Sequence, residues 1–198
     1  CVLDRLFQIN TKYDAFPQDG YTPEKIKILN SKINCFFLFQ KIDLTDATEF
    51  IVQHNTIKSS YSVDCNSTAI QFVDAFNLKS NSLNSGLIVS ILNNKIYDFS
   101  AIFRLSNISN AIIKQNEITN GYYLFYSASN SNIIFEKNTL DDQDCSGNSS
   151  FSNCNLIFKE NNLNIINTKS LDFLQYGAKG KNLICTNNTI SHDGKGRV

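Results

Sequence analysis

A short pattern recurs from residue 49 to residue 190, about every 22 residues, and it constrains the fold more than any other feature. Each copy has an apolar triplet, about two polar residues, an asparagine, one variable residue, and then isoleucine or leucine. The copies are EFIVQHNTI (49–57), VSILNNKI (89–96), SNAIIKQNEI (109–118), SNIIFEKNTL (131–140), CNLIFKENNL (154–163) and KNLICTNNTI (181–190). Short strands at this period predict an all-β, single-stranded, right-handed parallel β-helix of about six to seven coils.

Residues 35–198 are predicted to form the β-helix, as part of a larger chain or assembly. Residues 1–34 would be an N-terminal segment containing a degenerate first coil around Asn30. A leucine-rich repeat has a similar period, but its LxxLxLxxN order and its helical return segments are missing. The first residue is not methionine, so either a leader was removed or this is a segment of a longer protein.

One step between repeats is longer than the others, and it is interpreted as a coil with an insertion. In this alignment AIQFVDAF (69–76) takes the place that AIFRLSN (101–107) takes one coil later. Residues 58–68 and 77–86, which are rich in Ser and Asn, are then predicted to be loops.

The recurring asparagine is predicted to form an internal ladder. Asparagine tolerates the left-handed backbone that a sharp turn needs, and its amide can donate and accept hydrogen bonds along the stack. Because side chains alternate along a strand, the residues five and three positions before the asparagine should face the core, and so should the residue two positions after it. The ladder residues are Asn55, Asn94, Asn116, Asn138, Asn161 and Asn188.

Composition excludes several classes of function. Lys plus Arg and Asp plus Glu are 18 each, so no overall charge favours binding to nucleic acid. The sequence has no run of about 20 apolar residues, so no membrane-spanning helix is predicted. Six cysteines without a CxxC pair favour disulfides and an oxidising compartment over zinc, with buried free thiols as the alternative.

The best local cysteine pair is Cys145 with Cys154, which would close a short loop and stabilise the fold by about 2–3 kcal/mol. Four N-glycosylation sequons would suit a secreted glycoprotein, although about four are expected by chance in a chain this rich in Asn, Ser and Thr. The sequons are at Asn66, Asn107, Asn148 and Asn187.

SNSNIIFEKNTL, with NGYYLFYSA before it, resembles the repeat of the pectin lyase-like superfamily, and the resemblance covers about residues 35–190. That superfamily contains polysaccharide lyases and hydrolases as well as noncatalytic adhesins and surface proteins. The resemblance implies that any active groups lie on the outer face of the strand before each asparagine repeat. Outward residues there would be Arg104 and Asp172 as catalytic candidates, and Gln71, Tyr122, Tyr126 and Tyr176 as glycan-binding candidates.

No catalytic constellation is recognisable in the sequence. A hydrolase needs two carboxylates about 5–10 Å apart, whereas Arg104 and Asp172 lie several coils apart and Arg104 is surrounded by apolar and aromatic residues. His54 and His192 lack partners at metal-ligand spacing, so no metal site and no cofactor are predicted. The acidic cluster at 141–144 is interpreted as a solvated loop, with weak calcium binding as the alternative.

The position four before the ladder asparagine should face outward, yet isoleucine occupies it in five of six coils. The isoleucines are Ile51, Ile112, Ile134, Ile157 and Ile184. An exposed apolar stripe of this kind predicts contact with a neighbouring protein chain or a second copy, unless the parity is swapped or the same chain covers it. The sequence therefore favours a noncatalytic extracellular or cell-surface module with a structural, adhesive or assembly role. The alternative is a polysaccharide-active lyase or glycoside hydrolase.

Overall fold

The structure is a computed structural model that describes residues 5–7, 24–35, 37–44, 47–59, 74–80, 86–121, 123–143, 150–165 and 180–192. Every regular element in these ranges is a β-strand, and the strands form three parallel sheets. Sheet 1 contains β1 (Arg5–Phe7), β4 (Phe37–Asp43), β7 (Asp74–Lys79), β10 (Ala101–Ser106), β13 (Tyr123–Ser129) and β16 (Ser150–Ser152). Sheet 2 contains β2 (Lys25–Leu29), β5 (Glu49–Gln53), β8 (Ile88–Leu92), β11 (Ala111–Lys114), β14 (Asn132–Glu136), β17 (Asn155–Lys159) and β19 (Asn182–Thr186). Sheet 3 contains β3 (Lys32–Cys35), β6 (Thr56–Ser59), β9 (Lys95–Tyr97), β12 (Glu117–Thr119), β15 (Thr139–Gln143), β18 (Asn162–Ile165) and β20 (Thr189–His192).

Successive strands lie in sheet 1, sheet 2 and sheet 3 in turn, so each set of three strands forms one coil of a solenoid. Six successive coils, from β1 to β18, have one strand in every sheet. Beyond them, β19 and β20 continue sheets 2 and 3 by one more coil. Every strand pair in these sheets is parallel. The predicted parallel β-helix is therefore confirmed.

The core is a set of stacked columns, because equivalent residues of successive coils lie in register. The predicted inward positions around the ladder asparagine are almost fully buried from Phe50 to Leu163. In sheet 1, the Phe103 ring packs on Phe76 and Phe125, with ring centroids 5.5 and 5.3 Å apart. In the last coil the same core positions are open: Leu183 is 43% exposed and Ile190 is 45% exposed.

The asparagine ladder is confirmed, and its hydrogen bonds repeat from coil to coil. The Asn138 Oδ1 atom accepts both the backbone N–H and the Nδ2 amide of Asn116, at 2.9 and 3.0 Å. The second Asn116 amide proton is donated to the Ile91 carbonyl, at 2.9 Å. Both asparagines are buried. Each ladder amide therefore has partners for both protons and for its oxygen, which removes the usual cost of burying a polar group.

The ladder asparagine is not the left-handed residue, which corrects the sequence interpretation. Positive φ angles near 55° occur one position earlier, in the residue directly before each ladder asparagine. These left-handed residues are His54, Asn93, Gln115, Lys137, Glu160 and Asn187. The backbone turns at an outward residue, whereas the following asparagine directs its amide into the stack. Asparagine is thus required at the ladder position for its hydrogen bonds and not for its backbone conformation.

Two other placements also differ from the sequence interpretation. In the first coil the ladder position belongs to Ser31, whose backbone N–H donates to Asn55 Oδ1 at 2.8 Å, and Asn30 is the left-handed residue before it. The strand that precedes β10 in sheet 1 is β7, which pairs Phe76 with Phe103 and Leu78 with Leu105. Residues 77–79 therefore belong to a strand and not to a loop, because the buried Leu78 side chain completes a core column.

Candidate functional site

A polar cluster lies on sheet 1, at the position where the family resemblance implies active groups. The Arg104 Nη2 atom is 3.3 Å from Asp74 Oδ1, and the Arg104 guanidinium carbon lies 4.1 Å from the centre of the Tyr126 ring. The Tyr123 ring meets the Tyr126 ring edge to face, with centroids 5.3 Å apart. Arg104 is therefore held between a carboxylate and an aromatic face, an arrangement that combines an ion pair with a cation–π contact.

A β-bulge lies at Tyr126, next to Arg104. Phe103 pairs with Phe125, but the next residue, Arg104, pairs with Ser127, so Tyr126 is the extra residue in β13. Bulges interrupt strand alternation and redirect a side chain, and they are frequent next to functional sites. Regular pairing would have placed Tyr126 directly opposite Arg104 in the ladder. With the bulge, Arg104 pairs with Ser127, and the Tyr126 ring stacks on the guanidinium.

Asp74 is the buried member of the cluster. Its side chain is 4% exposed, and Asn77 Nδ2 donates to its Oδ2 atom at 3.1 Å. Burial raises the pKa of Asp74, while the positive charge of Arg104 opposes that rise. The Arg104 Nε atom is also buried, without a hydrogen-bond partner within the described ranges. A polar ligand that accepted a hydrogen bond from Arg104 would thus meet a cation whose position is already fixed.

The structure places some of the predicted site residues and leaves others outside the described part of the chain. Gln71, Tyr122, Asp172 and Tyr176 lie outside the described residues, so their roles stay predictions. Arg104 and Tyr126, which had been assigned separate roles, are brought into contact. The expectation that Arg104 is isolated among apolar and aromatic residues is wrong, since it pairs with Asp74. Sequence reasoning missed Asp74 and Tyr123; aligning DAFNLK (74–79) with AIFRLS (101–106) would have placed Asp74 in the strand next to that of Arg104.

Within the described residues, the carboxylate that forms an ion pair with Arg104 is that of Asp74. Among the same residues, no group of three or more His, Cys, Asp and Glu side chains could hold a metal ion.

The outer face of sheet 2 is the second candidate, and it contains the predicted isoleucine stripe. The predicted parity is confirmed in four coils, because Ile51, Ile112, Ile134 and Ile157 are partly exposed between buried neighbours. Ile184 is 50% exposed, in a strand whose other residues are exposed as well. Strand pairing places these residues in one column, interrupted once by Ser90.

Two polar columns flank the isoleucine column. On one side, Asn182 Nδ2 donates to Asn155 Oδ1 at 2.7 Å, and Asn155 Nδ2 donates to Asn132 Oδ1. On the other side, Glu136 lies between Lys114 and Lys159, with N–O distances of 2.7 and 3.0 Å. Hydrogen bonds from Lys114 and Lys159 lower the pKa of Glu136 from its ordinary value of 4.5 to about 2. We call these the amide column (Asn132, Asn155, Asn182) and the charge column (Lys114, Glu136, Lys159).

The predicted disulfide and sequons are only partly within the described residues. Cys154 is buried, its sulfur lies 3.3 Å from the Ser152 carbonyl, and burial raises the pKa of its thiol. Its predicted partner Cys145 lies outside the described residues, as do the sequon asparagines Asn66 and Asn148, so the pairing stays a prediction. The sequon residue Asn107 belongs to a second, unpredicted ladder at a turn: it donates to the Ser80 carbonyl at 2.8 Å and accepts from Asn130 at 2.9 Å.

The fold and the two outer faces define this chain as a parallel β-helix protein with repeated asparagine ladders. No protein family, no curated protein and no solved structure matches it. In the described part of the chain, no helix is long and apolar enough to cross a membrane.

Proposed function

We propose that this chain is a noncatalytic β-helix module of an extracellular or cell-surface protein, with a structural or assembly role. The observation that carries the proposal is the isoleucine column on the outer face of sheet 2. In each coil that has a partly exposed isoleucine, part of the free energy of burying an apolar side chain is lost. Apolar patches of this kind usually mark an interaction surface.

Sheet 3 supports this interpretation by contrast. Its outward positions are polar or charged, as expected for a strand face in water. They include Lys95, Glu117, Thr139 and Asn162. The same coils therefore present a polar outer face on one sheet and an apolar column on another. A general preference for β-branched residues in strands does not explain this difference, because threonine would satisfy it on both faces.

The first experiment changes the isoleucine column and measures assembly. Replacing Ile134 and Ile157 with threonine should keep strand propensity and remove the apolar contact, so that assembly of the protein with itself or its partner weakens at least tenfold. The matched control replaces Thr139 with serine and Asn162 with threonine, both exposed on sheet 3. Sedimentation velocity measures the assembly, and circular dichroism verifies the fold. An unchanged assembly with an intact fold would contradict the proposal.

A second candidate function is action on a polysaccharide, within the pectin lyase-like superfamily that the repeat resembles. The cluster of Asp74, Arg104 and Tyr126 favours it, because a fixed cation beside aromatic rings suits sugar hydroxyls or carboxylates. Under our main proposal, purified protein releases neither unsaturated uronides nor reducing ends from acidic or neutral polysaccharides. Release that is abolished by Arg104→Ala or by Asp172→Ala would instead establish the enzymatic function.

A further inference from the structure

We propose that the outer face of sheet 2 pairs with the same face of a second copy of this chain, with the two helix axes antiparallel. This inference rests on the proposed assembly role of the isoleucine column, and it identifies a second copy of the chain as the partner that covers the column. It is carried by the order of charges beside that column, which makes the face complementary to itself in one orientation.

The charge column alternates in sign from coil to coil. Lys114, Glu136 and Lys159 lie in consecutive, paired strands, so charges of + − + repeat at the coil rise of about 4.8 Å. A twofold axis that runs along the strands and lies between the coils of Ile112 and Ile134 brings Lys114 opposite Glu136 of the second copy. The same axis brings Glu136 opposite the second copy's Lys114. Opposite charges then meet in two places of one isologous interface.

The same twofold axis pairs the apolar column with itself. Ile112 lies opposite Ile134 of the second copy, and Ile51 lies opposite its Ile184. Ile157 lies opposite Ser90, the one residue that interrupts the column and leaves space for a larger side chain. If the two helix axes were parallel instead, the charge column would face the amide column and no opposite charges would meet. Charge complementarity therefore selects the antiparallel orientation.

The size of this contact sets the expected affinity. Six coils at about 4.8 Å and five-residue strands at about 3.3 Å per residue give a face of about 29 by 17 Å. Each copy thus buries about 500 Å², and the pair about 1,000 Å², which is the lower limit for a specific interface. We therefore expect a weak dimer, with a dissociation constant in the micromolar range.

The test uses charge reversal on the full 198-residue chain, followed by sedimentation equilibrium from about 1 to 200 μM. Lys114→Glu alone and Glu136→Lys alone each place like charges opposite one another, so each variant should self-associate at least tenfold more weakly. Mixing the two variants restores opposite charges at both contacts and should restore dimers. Lys114→Gln and Glu136→Gln serve as milder variants if a reversal unfolds the chain, which circular dichroism detects.

The outcomes separate this inference from the proposed function. Failure of the mixture to dimerise while the parent chain dimerises would overturn the antiparallel arrangement. A parent chain that stays monomeric at 200 μM would overturn the pairing of two copies, and the isoleucine column could then still bind a different partner. If the threonine substitutions at Ile134 and Ile157 also leave all assembly unchanged, the proposed function falls as well.

Discussion

Removing one asparagine side chain from the ladder should lower the free energy of unfolding by more than the loss of one hydrogen bond, because two donors share its oxygen as acceptor. In Asn138→Ala the Asn116 backbone N–H and one Asn116 amide proton both lose their acceptor, Asn138 Oδ1. Each buried donor left without a partner costs about 1–3 kcal/mol. We therefore expect the free energy of unfolding to fall by about 2–6 kcal/mol, a large share of the roughly 5–15 kcal/mol typical of a domain.

The matched control is Asn132→Ala, in the same coil and in the exposed amide column. Asn132 donates to the Ser109 carbonyl at 2.8 Å and accepts from Asn155 Nδ2, but water can replace both bonds at the surface. The expected loss is below about 1 kcal/mol. Urea denaturation followed by circular dichroism gives both values, and an unchanged dependence on denaturant confirms that only stability has changed.

A double-mutant cycle extends the test. Removing both Asn116 and Asn138 should cost about 1 kcal/mol less than the sum of the single changes, because the orphaned Asn116 amide proton is removed together with its acceptor. Equal losses for Asn138→Ala and Asn132→Ala would refute the reasoning, since the burial of the ladder would then have no energetic consequence. Strict additivity of the cycle would refute the assigned contact between the two amides.

Two further predictions concern the turn and the charge column. Gln115→Gly should raise the free energy of unfolding by about 0.5–1 kcal/mol, because Gln115 has a φ of 56° that glycine adopts without strain. Asn116→Gly should lower it, and the opposite result in denaturant titrations would place the left-handed residue at Asn116. The pKa of Glu136 is lowered in the folded state to about 2, so the stability it provides is complete above pH 4.5 and is lost as the pH falls toward 2. Unfolding midpoints of Glu136→Gln should therefore decrease less than those of the parent over this range, and equal decreases would rule out the assigned ion cluster.

The sequence predicts most accurately those features of the structure that depend on periodicity alone. The spacing of the asparagines predicted the coil, and alternation around Asn116 and Asn138 predicted which side chains face inward and which isoleucines face outward. These predictions are reliable because coils of similar length stack in register, so the neighbours of a residue are its own equivalents one repeat away. The core and the isoleucine stripe were therefore recognisable from residue type and spacing.

Other features depend on how coils of different length pair with one another, and only the tertiary structure decided these. The left-handed turn residue lies one position before the ladder asparagine. The pattern of apolar residues does not show which of these two adjacent polar residues has the left-handed backbone. The long coil could be aligned in two ways, and only the stacking of Phe76 on Phe103 selects the strand that contains Asp74. The bulge in β13, which shifts the pairing partner of Arg104 from Tyr126 to Ser127, is likewise not visible in the sequence pattern. Sequence thus determined the repeating architecture, whereas strand pairing across the long coil determined that Asp74 meets Arg104, because these two residues are 30 positions apart and not one repeat apart.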